Sequence, residues 1–389
     1  MLARMKKIVA REAGNWERLA LQIHQNPELG FQEKKTAELL IKYLASRGFK
    51  IEKNLAGLDT SFRAFSANQQ SRPAVGFLAE LDALPGIGHG CGHNLIAVSS
   101  AAAAVILRQS LPELTGSVEV LGCPAEERGG GKIILCNAGA FDHLDLAMLV
   151  HPSDRTEIYK ASLALLEVKL DFIGRAAHAA ACPEKGINAL EAAISTFNRV
   201  RALRPRMGRA ARVNGIILEG GKAPNIIPDR AKVEFWVRHE RLDKTMQLAE
   251  MVARAGKSSA REIGAKVKVE LNQKMAYAPF LPNRVAGEIL WEIFELLGIK
   301  VEQGDEKAGM GSTDLGNLSW RVPALHPSMS ISQSPVHTLE FAAAARSRRG
   351  LLMMKRAALA MAMLGCRVMS EEKLRAEMKA ELARSRRGK

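Results

Sequence analysis

Apolar and polar positions repeat along this chain with two different periods, and the change of period divides it. Over residues 5–24 and 33–47 apolar residues recur every three to four positions, the spacing of amphipathic helices. Between them HQNPELGFQE carries Pro27 and Gly30, which break both patterns and predict a loop. Three short aliphatic runs follow: AVGFLAEL (74–81), SVEVLGCP (117–124) and LAMLVHP (146–152). Continuous apolar runs of that length, bounded by turn residues or charge, read as buried strands of an α/β sheet. The Ala-rich stretch from Leu95 to Leu107 predicts a crossover helix between the first two.

Residues 161–272 read differently. ASLALLEVKLDFIG is a strand, GINALEAAISTFNRVRAL a helix, RVNGIILEGG and AKVEFWVRHE two strands, DKTMQLAEMVARAGKSSAREIG a helix and KVKVELN a strand. The order βαββαβ predicts a complete ferredoxin-like α+β domain. The first pattern then resumes with RVAGEILWEIFELLG, a Gly/Ser turn at MGSTDLGN, VPALHP, SPVHTLEF and a long C-terminal helix. The expected architecture is therefore an α/β domain made of residues 1–160 and 273–389, interrupted by an insert at 161–272.

The length of 389 residues exceeds one comfortable core and agrees with two domains. The five cysteines, Cys91, Cys123, Cys136, Cys182 and Cys366, are odd in number and lack paired spacing, which argues against a disulfide framework and for a reducing compartment. The N-terminus has no apolar h-region, and LLMMKRAALAMAML is interrupted by Lys355 and Arg356, so no membrane span is expected. These features predict a soluble, cytoplasmic protein. The net charge of +15 is concentrated in two places. Arg199 to Arg212 holds six Arg and no acid, and Arg367 to Lys389 holds eight basic and four acidic residues. No nucleic-acid-binding signature accompanies either, so solvated surfaces or an anionic small substrate are expected rather than nucleic acid.

Chemistry enters where each of the three strands runs out. The first is followed by GIGHGCGHN, with Cys91 and His93; the second by Glu126 and Glu127; the third by His151. Ligands of open α/β sheets bind beyond the carboxyl ends of strands. On extended backbone Cys91 and His93, two positions apart, would project to the same side; alone, Cys-Gly-His is also compatible with a Gly-rich turn around a buried Cys, and His151 with an ordinary strand-end histidine. Together with a late histidine, either His326 or His337, the set suits two divalent ions that share a ligand and activate a water for hydrolysis. On extended backbone the adjacent Glu126 and Glu127 would diverge, one ligating metal and the other handling the proton. In the insert, His178, Asn225 and Arg238 suit an oxyanion or a substrate carboxylate.

The ordered series HQNPELGFQE, ELDALPGIGHGCGHN, PAEERGGGK, LVHP, GRAAHAA, GGKAPNIIPD, GSTDLGN and PVHTLEF resembles one family over residues ~15 to ~365. It is the metal-dependent amidohydrolase family of hippurate hydrolases, auxin-conjugate hydrolases, aminoacylases and p-aminobenzoyl-glutamate hydrolases. GCGHN, with Asn94 where many relatives have Asp, resembles the p-aminobenzoyl-glutamate hydrolase and dipeptidase branch. The resemblance implies a dinuclear-metallopeptidase-like catalytic domain with an inserted dimerisation or lid domain. It implies two divalent ions per subunit, zinc or manganese with cobalt as an alternative, bridged by Cys91 and held by His93, Glu127, His151 and His337. Glu126 would be the general base, Asp82 would orient a ligand, and His178 would reach the site of a partner subunit in a homodimer or larger assembly. Asn225, Arg238 and His326 are expected to meet the substrate. The substrate would be a small amide bearing a carboxylate, an N-acyl or N-aminoacyl amino acid. A dipeptidase acting on short peptides and a non-catalytic metal-binding or scaffolding protein are the alternatives.

Overall fold

A computed structural model describes residues 1–66, 71–113, 115–303 and 311–387. Met310 of MGSTDLGN and Lys389 of the basic tail lie outside the described residues. The chain forms two compact units, Met1–Ala161 with Phe280–Lys389, and Ser162–Pro279.

The first unit opens with helices α1 (Leu2–Gln25) and α2 (Lys34–Ser46), then strands β1 (Lys50–Lys53), β2 (Phe62–Phe65) and β3 (Ala74–Glu80). Helix α3 (His93–Ser110), strand β4 (Ser117–Cys123), helix α4 (Gly131–Asn137) and strands β5 (Leu146–Met148) and β6 (His151–Ser153) complete its first part. Every residue of β3 and β4 is buried, which is why both read as unbroken apolar runs. They pair in parallel, Val75 opposite Val118 and Glu80 opposite Cys123, so their carboxyl ends finish side by side. The LVHP segment is not one strand but two, with β5 in the main sheet and β6 paired elsewhere.

The insert contains β7 (Ala164–Ile173), α5 (Ala189–Met207), β8 (Arg212–Glu219), β9 (Arg230–His239), α6 (Leu242–Ile263) and β10 (Lys266–Glu270). Its sheet order is β10-β7-β9-β8 with antiparallel neighbours, the ferredoxin-like arrangement. Alternation along β9 buries Ala231, Val233, Phe235 and Val237. The unit extends to Pro279, beyond residue 272, because Tyr277 and Leu165 exchange backbone hydrogen bonds of 2.8 and 3.1 Å.

The first unit resumes with α7 (Arg284–Leu296), α8 (Leu315–Ser319), β11 (Ala324–Leu325), β12 (Ser328–Ser330), α9 (Leu339–Ala344), α10 (Arg348–Ser370) and α11 (Glu372–Arg387). The main sheet has the order β1-β2-β4-β3-β5-β11, and β6 pairs with β12. Helix α3 is buried almost along its whole length, so its surface is Ala-rich rather than amphipathic. The basic tail is a packed helix: Leu374, Met378 and Leu382 of α11 are buried at helical spacing. Its Glu381 carboxylate accepts from the backbone N–H groups of Arg284 and Val285 at 2.7 and 2.9 Å and so caps α7.

Candidate metal centre

The loops beyond β3, β4 and β5 bring the predicted ligands together. Gly92 has φ +76° and caps α3, with His93 as its first residue. Cys91 and His93 therefore converge through a tight turn, not along extended backbone as the sequence suggested. The Cys91 Sγ lies 3.4 Å from His151 Nε2 and 3.5 Å from His337 Nε2. Two ligand groups share that sulfur: Cys91, His93 and His151, and Cys91, Glu127 and His337. His337 is held at φ +67° with its N–H donating to the Gly90 carbonyl at 2.8 Å.

The imidazoles are aimed by their other nitrogens. His93 Nδ1 donates to the Asp82 carbonyl at 2.8 Å and lies 3.2 Å from the Asp82 carboxylate. His151 Nδ1 donates to the Pro152 carbonyl. Each leaves Nε2 facing the cluster, the tautomer a metal ligand requires. Glu126 and Glu127 lie in a turn, not on extended backbone, and do not diverge. Glu126 Oε2 is 4.0 Å and Glu127 Oε1 3.9 Å from His93 Nε2, and Glu127 Oε2 is 3.5 Å from His337 Nε2. The turn starts from Ala125, whose φ is +55°.

Electrostatics favour a cation here. His93 Nε2 and Glu127 Oε1 are buried without a hydrogen-bond partner among the described residues, which natural interiors rarely tolerate unless an unplaced ion or water supplies it. Burial, and then Glu127, push the Cys91 thiol up; a bound cation reverses this, because a coordinating thiol gives up its proton. Burial, reinforced by His326, pushes His151 down to about 3, so the imidazole is neutral and able to ligate. Burial and then Glu80 raise Glu126 well above the usual carboxylate range. The donor set of thiolate, imidazole and carboxylate thus fits divalent ions of the zinc and manganese type.

His326 belongs to neither Cys91 group. Its ring packs edge-on against His151, centroids 5.4 Å apart, and against Phe280 at 5.9 Å, with Nε2 buried. Asn94 is fully buried on the far side of the helix start and donates to the carbonyls of Ala20 and Ala345 at 3.3 and 3.1 Å. An ionised Asp could not make those donations. Within the insert, His178 and Asn225 lie on adjoining loops: the Ala179 N–H donates to the Asn225 carbonyl at 3.0 Å and His178 bridges Ile226. His178 is exposed, with Nδ1 accepting from the N–H groups of Ala180 and Ala181. Arg238 stands on β9 with its guanidinium 5.1 Å from the Trp236 ring centroid.

Three residues escaped the sequence reading. Lys132 is fully buried, with Nζ 2.6 Å from Asp314 Oδ1 and 2.7 Å from Glu80 Oε1. Burial alone would lower its pKa, but Asp314 and Glu80 outweigh this and keep it an ammonium. Glu80 Oε2 in turn lies 3.5 Å from His93 Nε2. A lysine at the head of the apolar run KIIL was the available signal.

An α/β unit with two candidate ligand groups that share the Cys91 sulfur, interrupted by a ferredoxin-like domain, has the make-up of a dinuclear metallohydrolase. Residues 162–263 match the peptidase dimerisation domain of the M20 family. The chain is 35% identical to the Xaa-Arg dipeptidase of Mus musculus over 94% of this chain and 89% of that one. It is 30% identical to a p-aminobenzoyl-glutamate hydrolase polypeptide of Escherichia coli, over 75% of this chain and 64% of that one. Among solved structures, the Bacillus subtilis YXEP protein, a dinuclear metal binding peptidase from the M20 family, superposes with a TM-score of 0.64 at 19% identity, covering 92% of this chain and 99% of that one. The chain belongs to the M20 family of metal-dependent amidohydrolases and peptidases, close to the p-aminobenzoyl-glutamate hydrolase and dipeptidase branch. It is a metal-dependent hydrolase of amide bonds in N-acyl or N-aminoacyl amino acids, with a dimerisation domain. Among the described residues no helix is long and apolar enough to cross a membrane.

Proposed function

We propose that Cys91 bridges two divalent ions, one held with His93 and His151 and the other with Glu127 and His337. The observation that carries this is the placement of one sulfur within 3.4 and 3.5 Å of two histidine Nε2 atoms. Zinc suits the thiolate, while the carboxylate and imidazoles admit manganese or cobalt. When bound, the ions would polarise the scissile carbonyl and acidify a water. Glu126, which stands outside both Cys91 groups, takes the proton from that water and hands it to the leaving amine. Asp82 orients His93 through Nδ1. His178 stabilises the oxyanion, acting from one protomer on the site of its partner; Asn225 and Arg238 hold the substrate carboxylate, and His326 contacts the substrate. A cytoplasmic setting belongs to this reading, since a reducing compartment preserves the Cys91 thiol.

The metal-loaded protein should hydrolyse N-acyl amino acids or dipeptides and contain about two ions per chain. Glu126→Gln should lose about 10²–10⁴-fold in kcat with its metal retained, and Glu127→Gln should lose metal. The reverse pattern would exchange the two roles, and a protein that binds no metal would end the proposal. Mixing inactive His178→Ala and Glu126→Gln dimers should restore activity by subunit exchange; verified, folded, metal-loaded heterodimers that stay inactive would remove the trans role of His178. The similarity to a dipeptidase over nearly the full chain favours a second reading in which the N-acyl group is itself an amino acid. Side-by-side kcat/KM values for dipeptides and N-acetyl amino acids decide it.

A further inference from the structure

The segment HQNPELGFQE has no part in the chemistry above, yet it is built into the base's loop. Glu33 at its end is 0% exposed. One carboxylate oxygen accepts from the Ala125 N–H at 2.8 Å, and the other accepts from the Thr60 hydroxyl at 2.8 Å. Ala125 immediately precedes Glu126 and is held at φ +55°, a left-handed conformation that L-residues other than Asn, Asp and His seldom adopt. Such a residue stays there only when its surroundings over-determine it.

The contact is part of a fitted surface. A Cβ on Gly30 would come within 2.9 Å of the Ala125 Cβ, and one on Gly129 within 2.4 Å of the Phe31 ring. The loop 27–33 therefore lies directly against the turn 125–129. On the other side of Glu126, the Glu127 N–H donates to Asp82 Oδ2 at 2.9 Å. Two carboxylates thus grip the backbone on either side of the base. Burial raises the pKa of Glu33 above its usual range, so keeping a carboxyl at this place costs folding free energy. A position that serves stability alone would be better filled by an apolar residue.

We propose that Glu33 is a positioning residue for the hydrolysis: it accepts the Ala125 N–H, fixes the left-handed turn and thereby aims Glu126. This rests on the reading of Glu126 as general base. The chemical requirement is an acceptor, not a charge, so Glu33→Gln should work: its amide oxygen accepts from Ala125 and its amide nitrogen donates to the Thr60 oxygen.

The test uses the metal-loaded dimer and compares Glu33→Ala, Glu33→Gln, Glu126→Gln and the double variant Glu33→Ala/Glu126→Gln. Glu33→Ala should keep the wild-type metal content and KM and lose roughly a hundredfold in kcat, the scale of a 1 Å misplacement. Glu33→Gln should recover most of that loss. In the Glu126→Gln background, Glu33→Ala should change nothing further, because the side chain it aims can no longer take a proton. Wild-type kcat in Glu33→Ala, equal impairment of Glu33→Gln, or an undiminished further loss in the double variant overturns the inference and leaves the base assignment standing. A fully active Glu126→Gln instead removes the base reading, and this inference with it. Should Glu33→Ala fail to fold, Glu33→Leu/Thr60→Val removes the Thr60 hydroxyl together with the carboxylate and fills the space with apolar groups, so that only the Ala125 N–H is left without its acceptor and the stability loss is smaller. The same kcat loss is expected there, and wild-type kcat overturns the inference.

Discussion

The catalytic unit buries an ion-paired cluster in its interior, whereas the ion pairs of the insert lie at its surface. Behind the candidate metal centre Lys132, Glu80 and Asp314 are each 0–1% exposed, and the ammonium of Lys132 pairs with both carboxylates. In the insert the core under the sheet consists of residues such as Val168, Leu170, Phe172, Val233 and Phe235. Its ion pairs, Arg230 with Asp171 and Arg241 with Asp243, sit on the surface. The difference follows from what each unit does. A site that holds cations needs carboxylates in a dry place, and these require fixed counter-charges and hydrogen bonds. A domain that supplies a sheet and an interface needs only apolar packing to fold.

The largest effect that separates the two regions should come from Lys132→Met. Removing the ammonium leaves Glu80 and Asp314 buried and unpaired, at a cost of about 3–5 kcal/mol. Urea unfolding should show the loss in the catalytic unit, and adding Glu80→Gln and Asp314→Asn should return most of it. A single Lys132→Met variant with wild-type stability would mean that the triad contributes nothing. In the insert the matching test is Leu170→Ala. A Cβ on Gly256 would come within 2.6 Å of the Leu170 side chain, so the packing is tight. The expected loss is about 2–5 kcal/mol, set by lost methyl groups and the cavity left behind. Compensation of that loss by a polar substitution would contradict the apolar reading of this core.

Acid should act on the catalytic unit first. Burial lowers the pKa of His24, whose Nε2 donates to the Ala342 carbonyl at 2.7 Å. The neutral ring is favoured in the fold, so the unfolded chain takes up the proton first. That contribution to stability is complete above about pH 6.5 and is lost as pH falls below it. In the insert the hydrogen bonds from Arg230 lower Asp171, and its contribution is present above about pH 4 and is lost only below that. Hydrogen-exchange protection factors at pH 7 and pH 5 should therefore fall in α1 and α3 while β7 and β9 stay protected. His24→Gln, which can still donate, should blunt the difference; an unchanged response would assign the acid sensitivity elsewhere. The smallest effect is expected from Arg230→Ala, which should leave the unfolding midpoint within error of wild type, because exposed pairs contribute little.

Some of this organisation was open to direct reading. Residues 74–81 and 117–124 announce buried strands because a strand covered on both faces has no polar alternation to show. The βαββαβ order of the insert was readable because half-buried elements carry their period openly, as in Ala231, Val233, Phe235 and Val237. The residue types of the candidate ligand set were visible at strand ends. The turns were not: Cys91 with His93, and Glu126 with Glu127, converge through left-handed residues at Gly92 and Ala125. Sequence spacing assumed extended backbone there, and only for glycine does residue type hint at a positive φ.

By itself the sequence determined most of the elements and the insert, which are written in local period, and the candidate ligand types and the family, which are written in residue types and the order of motifs. Only the tertiary structure decided which groups meet. Lys132 finds Asp314 across 182 positions and Glu33 finds Ala125 across 92. Nothing local distinguishes a lysine or a glutamate that will be buried from one that will be solvated. What selects the partner is the cost of leaving a charge or an N–H unpaired in a dry interior, and that cost exists only once the chain has folded around it.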